Sequence, residues 1–245
     1  MAFTPAFIAA GAPIYDAGTA FPASLEVDIA DLPAGITTGD FLMVCAIAGV
    51  DTMATGFVSS DLTDAGYQTA GVRNAGGFSH WLFVWLGIYD PADFPVTVAS
   101  TSTPTSGAWR IETAIWRPTG TVQALSGQYW KTAGPDGLGQ LPADGTGGAV
   151  ASTADGLVVQ LAMDATDNMG AVVDAEGMTE RHRQAAITNR VGGFVIADVQ
   201  QGTRSSVFAT YASGEVTVQF TVTASDTPGT FGGSSISVGR ARAWR

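Results

Sequence analysis

Cysteine is nearly absent from this chain. Cys45 is the only one in 245 residues, so no disulfide can form within it. At this length a single β domain, or two small ones, can bury enough surface to fold without such a staple. Cys45 lies in the apolar run from Phe41 to Ile47, where a buried small hydrophobe is the ordinary reading. A nucleophilic cysteine would want a histidine partner, and the only two histidines, His80 and His182, are distant in sequence. Basic residues are also scarce, 11 against 22 acidic ones, for a net charge of −11. Nucleic-acid binding needs a basic stripe to displace counterions, and anionic membrane surfaces need the same, so neither is an expected partner. Charged residues of both signs total only 13%. Small residues must then supply much of the surface, as in β proteins that pack against neighbours. Long hydrophobic runs are missing too: the longest, Trp81 to Ile88, is far too short to span a membrane. The N-terminus, Met1 to Pro5, lacks the basic segment of a secretory signal. The expectation is a soluble protein made in a cytoplasm.

What is present is period-two alternation. Leu25, Val27 and Ile29 alternate with Glu26 and Asp28, which predicts a half-buried strand. The segments Phe41 to Ala48 and Trp81 to Ile88 are apolar on both faces and predict central strands covered on both sides. Further strands are predicted at Val96 to Val98, Trp109 to Trp116, Leu157 to Met163, Phe194 to Val199, Val216 to Thr223 and Ile236 to Trp244. Turn clusters separate them, among them Pro33-Ala34-Gly35, Asp90-Pro91 and Gly192-Gly193. Helix is confined to single turns at Pro91 to Phe94 and Ala185 to Arg190. The predicted class is all-β: a β-sandwich, jelly-roll-like, with little helix.

The order of elements recurs once. Gly39-Asp40 leading into Phe41 to Val44 has a counterpart in Asp155-Gly156 leading into Leu157 to Val159. Val96 to Val98 aligns with Val216 to Val218, and Trp109 to Arg117 with Ile236 to Arg245. This predicts one domain, 1–245, made of two similar Greek-key halves, about 1–133 and 149–245. The Gly- and Pro-rich segment Gly134 to Gly148 joins them. Two separate domains is the alternative, disfavoured because each half alone would leave open sheet edges.

Catalytic motifs are missing. There is no Gly-x-Ser-x-Gly elbow, no His-Glu-x-x-His and no P-loop. Glycoside hydrolysis needs only two carboxylates, and Glu26, Glu112, Glu176, Glu180 and Glu215 are candidates in principle. Glu112 stands out among strand aromatics; its ordinary reading is an outward-facing residue paired with Arg110 on one strand face. His182, in Glu180-Arg181-His182-Arg183, reads as part of a charged, exposed edge. The loop Asp164 to Asn168 carries oxygen ligands that would suit calcium, but Asp and Asn are equally good turn residues, and no metal or cofactor is expected. Tyr129 and Trp130 are the best ligand-site candidates, as aromatics able to stack on a sugar ring or anchor a partner, against packing over the end of a sandwich. Trp81, Trp85, Trp109, Trp116 and Trp244 read as core. No catalytic residue is assigned, and the chain is not expected to be an enzyme.

Several of these segments carry a resemblance. They are Gly39 to Val44, Trp81 to Asp93, Val96 to Val98, Trp109-Arg110 to Trp116-Arg117, Thr153 to Val159, Glu176 to Arg181 and Ala241 to Arg245. In them the chain resembles a family of β-sandwich virion proteins of tailed bacteriophages and gene-transfer particles. Members serve as head decoration, head fibre or spike, or minor tail protein. The family pattern has a Gly-Asp-led first strand, a Pro-Ala-Gly-Trp-Thr-like turn and a late Ala-Asp-Gly-Asp-Leu strand. Here Met178 stands where tryptophan is common, and Gly156-Leu157 lacks the second aspartate. The resemblance covers nearly the whole chain, and its motifs are β-structural, so no functional residue carries over. It implies a structural protein on the surface of a virion, as capsid decoration or head fibre, held among other virion proteins and in a homo-oligomer. A glycan-binding module for host adhesion, on head or tail, is the alternative.

Overall fold

The structure is a computed structural model and describes residues 5–16, 21–50, 57–59, 66–69, 79–101, 107–118, 124–126, 129–133, 157–163, 172–174, 178–185, 191, 193–200, 210–211 and 216–225. The predicted strand at Ile236 to Trp244, the segment Gly134 to Gly148 and the Asp164 to Asn168 loop lie outside the described residues. Sixteen strands form among them: β1 (Ala6–Ala10), β2 (Ser24–Val27), β3 (Phe41–Val50), β4 (Phe57–Val58), β5 (Gly66–Thr69), β6 (Ser79–Ile88), β7 (Val96–Ser100), β8 (Gly107–Arg117), β9 (Ala124–Ser126), β10 (Tyr129–Ala133), β11 (Leu157–Met163), β12 (Val172–Asp174), β13 (Thr179–Gln184), β14 (Phe194–Gln200), β15 (Thr210–Tyr211) and β16 (Val216–Ser225). No α-helix occurs among the described residues; two short 3-10 turns, Ile29–Asp31 and Pro91–Asp93, are the only helical elements there. The fold is all-β, and its paired strands are antiparallel.

Two large sheets carry the architecture. The first runs β1-β8-β3-β6-β5 and the second β10-β16-β11-β14-β13, with β9 also pairing with β16. If the strands of each five-strand path are ranked by order of appearance in the chain, both sheets read 1-5-2-4-3. The small sheets pair in a similar order: β4 with β7 in the first half of the chain, and β12 with β15 in the second. Thus β3 and β11 hold the same place. The sequence alignment of Val96 to Val98 with Val216 to Val218 is not the structural one, because β7 belongs to a small sheet and β16 takes the place of β8. The residues before 133 also divide differently: β9 and β10 pair with β16, so the first large sheet is built from residues 6–117 and the second from 124–225.

The double-faced apolar pattern of β3 has a direct cause. Phe41, Met43, Cys45 and Ile47 point into a core shared with Leu157, Val159 and Leu161 of β11 and Phe194 and Ile196 of β14. Leu42, Val44, Ala46 and Ala48 point the other way, into a core closed by Leu25 and Val27 of β2 and Val96 and Val98 of β7. The first large sheet is therefore a middle layer, with the second large sheet on one face and β2-β7-β4 on the other. A strand covered on both sides needs apolar residues at every position. Trp116 and Phe41, both fully buried, each contribute roughly 1.5–3 kcal/mol by leaving water.

The alternation from Leu25 to Ile29 ends sooner than predicted. β2 stops at Val27 because the Asp28 carboxylate accepts from Ala30 N–H, and the Asp31 carboxylate accepts from Asp28 N–H. This reciprocal capping starts a 3-10 turn and leaves Ile29 exposed at 43%. At Pro91 the predicted turn forms on a single capping bond, the Asp90 carboxylate accepting from Ala92 N–H.

Candidate functional site

Charges are rare enough that buried ones stand out. Arg110 and Glu112 are two apart on β8 and so share one face, the face turned toward the second sheet. Arg110 Nε lies 2.6 Å from Glu112 Oε1, and both side chains are fully buried. The predicted pair forms, but not on an outward face, because β8 is a central strand of a covered layer. The second sheet supplies the other contacts. Arg110 Nη1 donates to Ala185 O, and His182 Nε2 lies 3.8 Å from Glu112 Oε2. His182 sits at a bulge on the outer strand β13, partly open to solvent, rather than on a fully exposed edge. The Arg110 Nε to Glu112 contact has the geometry of an ion pair rather than of a linear hydrogen bond, and Arg110 Nη2, both Glu112 oxygens and His182 Nε2 make no hydrogen bond. Cys45 pairs with Glu112 across β3 and β8. Burial, then the Glu112 carboxylate, pushes its thiol well above the usual range, and Arg110 opposes this only in part. Such a thiol is not a nucleophile.

Two further carboxylates act as ties. Asp40, directly before β3, accepts from Arg117 Nε and Nη2 at 2.9 and 2.8 Å, and from Thr37 N–H and Oγ1–H. Gly39, at φ 92°, turns the chain into this position through a conformation that side chains disfavour. Burial pushes the Asp40 carboxyl up, but the Arg117 and Thr37 hydrogen bonds outweigh it, and the net position is below the usual value. Asp198 on β14 accepts from Trp116 Nε1 at 2.7 Å and from Arg181 Nε at 2.7 Å. That joins the two large sheets through a hydrogen bond buried on both sides. Arg181 also lies over the Phe7 ring, which meets Trp116 edge-on. The roles of Asp198, Arg181 and Arg117 were missed in the sequence, where nothing links Arg117 to Asp40 or Asp198 to Trp116 and Arg181, which are far apart along the chain.

An open cleft of about 460 Å³ lies at the end of β1, between the segments 10–15 and 30–34. Its side chains are mostly short, so main-chain groups reach its surface. Its position follows from Gly11. Gly11 N–H donates to Thr113 O at 2.9 Å, and a Cβ there would collide with Thr113 Oγ1. The chain rejoins β8 at the Ile14–Ile111 bridge.

The other predicted candidates are dispersed. Tyr129 and Trp130 lie on β10, at the outer end of the five-strand path of the second sheet, opposite Phe220 and Gln219, rather than on a loop. Glu26 is exposed on β2, and Glu180 is paired with Arg183. Glu176 and Glu215 lie outside the described residues. Trp85, Trp109 and Trp116 are buried, as predicted. Trp109 Nε1 donates to Pro22 O, and its ring packs on Phe57 at 4.6 Å. Among the described residues no three His, Cys, Asp or Glu side chains converge as a metal site. No family model, curated protein or solved structure matches the chain.

Proposed function

We propose that this chain is a bacteriophage virion structural protein exposed on the particle surface, as capsid decoration or head fibre, with other virion proteins and its own copies as partners. The observation that carries the reading is what the resembling residues do. Gly39-Asp40 and Trp116-Arg117, quoted above for the likeness to virion proteins, are bound to one another. Asp40 clamps Arg117, and Trp116 ties the first sheet to Asp198 of the second. These motifs tie together a block of two sheets with one strand order. A non-catalytic role is supported by the burial of the two residues best suited to chemistry. Glu112 is wholly enclosed, and the Cys45 thiol is both enclosed and held protonated. The alternative, a glycan-binding module, rests on Tyr129 and Trp130 on the outer strand β10.

Adding the purified protein back to particles that lack it tests the proposal. Binding in a fixed ratio, with a change in particle stability or host attachment, is the expected result. If the protein neither binds nor alters the particles, while a glycan array shows a ligand lost on Trp130→Ala, the alternative replaces it.

A further inference from the structure

The cleft at the end of β1 has no part in the virion reading, yet its walls are chemically selective. One wall is held to β8 at two points. Gly11 N–H donates to Thr113 O, and Ile14 exchanges two hydrogen bonds with Ile111. Ala12 and Pro13 lie between these anchors, so the Ala12 N–H and the carbonyls of both are not spent on β8. The other wall carries the Asp31 carboxylate, which gives Oδ2 to the Asp28 N–H and keeps Oδ1 for another donor. Tyr15, 46% exposed, is the large apolar side chain that these walls present to a ligand. Leu32 is buried, and Ile14 packs on the core behind it.

Three kinds of occupant fit these walls badly. No lysine, arginine or histidine is among the described lining residues, so an anionic ligand finds no counter-charge. A wholly apolar ligand would bury the Asp31 carboxylate and the Ala12 peptide group without replacing their hydrogen bonds to water. An added peptide strand would be interrupted, because Pro13 and Pro33 have no N–H to offer along either wall. A sugar ring meets the same demands. One face of a pyranose is made of C–H groups and can lie on the Tyr15 ring, while each hydroxyl both donates and accepts. Its hydroxyls can donate to Asp31 Oδ1 and to the Ala12 and Pro13 carbonyls, and its oxygens can accept from the Ala12 N–H. The cleft volume of about 460 Å³ lies within the roughly 300–1,000 Å³ of small-ligand sites.

We propose that the cleft between 10–15 and 30–34 binds a neutral pyranose sugar, with Tyr15 as the stacking residue and Asp31 as the hydroxyl acceptor. The site is separate from the aromatic pair on β10 and from any contact with virion proteins, so its failure leaves both of those readings standing.

The test is a titration of the isotopically labelled protein, followed by amide resonances, with glucose, galactose, mannose and N-acetylglucosamine, each to high millimolar concentration. Glucuronate, which carries the same charge as Asp31, and glycerol, which has hydroxyls but no C–H ring face, serve as controls. Shifts confined to the two wall segments and their immediate neighbours are expected with at least one neutral sugar. Glucuronate should bind more weakly, and glycerol should give no shifts. Tyr15→Ala and Asp31→Asn should each weaken binding about tenfold. Both side chains are exposed, and asparagine keeps an oxygen for the Asp28 N–H, so the fold should persist. Ala12→Leu, which obstructs the cleft from an exposed position, is a second route to the same loss. No shift with any neutral sugar would overturn the proposal. So would equal shifts from glycerol, tighter binding of glucuronate, or unchanged binding by the variants. Shifts around Tyr129 and Trp130 that Trp130→Ala abolishes would place the sugar on β10 and overturn it as well.

Discussion

Asp40 accepts four hydrogen bonds from a position that is 2% exposed. A buried carboxylate is stable only when satisfied in this way, and here the satisfaction closes a turn and fixes the end of β8. Asp40→Ala should cost about 2–3 kcal/mol at neutral pH, a figure kept modest because Arg117 is itself half exposed. The lowered carboxyl gives this contribution a pH signature. It is complete above the ordinary value of 3.8 and is lost as the pH falls below that, through the lowered one. Denaturant titrations should show the gap between wild type and variant narrowing below about pH 4; a constant gap would mean that the carboxylate charge contributes nothing. The Arg110–Glu112 pair makes a different demand. Removing one partner strands the other, so Glu112→Ala should cost about 3–5 kcal/mol, whereas Arg110→Met with Glu112→Leu should cost far less. Equal losses from the single and double variants would show that the pair is not coupled. Cys45 should resist thiol reagents in the native protein and react on unfolding; prompt native labelling would contradict its burial.

At the level of elements, the central strands were the legible ones. β3, β6, β8, β11, β14 and β16 were all read from apolar runs, because a strand packed on both sides or deep in one core leaves a strong hydrophobic trace. An outer strand can leave none: β13, Thr-Glu-Arg-His-Arg-Gln, looks like a charged loop, yet its charges suit an edge that must not recruit another strand. Ile29 was placed in a strand because alternation cannot anticipate a capping box. Glu112 was turned outward because nothing in a single strand tells which faces a second sheet will cover. The cleft was invisible as well, since it depends on the close passage of Gly11 over Thr113. There, Gly11→Ala forces a Cβ against Thr113 Oγ1 and within 3.0 Å of Asp31 O, and should cost about 1–3 kcal/mol with a lowered melting temperature. By contrast, Gly39→Ala meets open space and should cost about 1–2 kcal/mol through its backbone conformation alone. If the two behave alike, and Thr113→Ala fails to rescue the first, the contact at Gly11 is not the cause.

At the level of the whole molecule, the question is whether the two large sheets, alike in strand order, can come apart. Their shared core says that they cannot without exposing Phe41, Met43, Ile47 and Trp116 on one side and Leu161, Phe194 and Ile196 on the other. Separation would also strand Asp198 without the Trp116 donor, and Arg110 without Ala185 O. The first sheet would keep its second core, closed by Leu25, Val27, Val96 and Val98, but would lose the one it shares with β11 and β14, so opening either large sheet removes support from the other. Unfolding in urea should therefore be a single transition, with tryptophan fluorescence and far-ultraviolet circular dichroism following the same curve. The tryptophans of known burial, Trp85, Trp109 and Trp116, all belong to the first sheet, so their fluorescence weighs that half, whereas dichroism reports on both. Phe194→Ala, a change wholly within the second sheet, should cost about 3–5 kcal/mol and move both curves together. If it shifts the dichroism and leaves the fluorescence midpoint in place, the sheets unfold as separate units and the common core does not couple them.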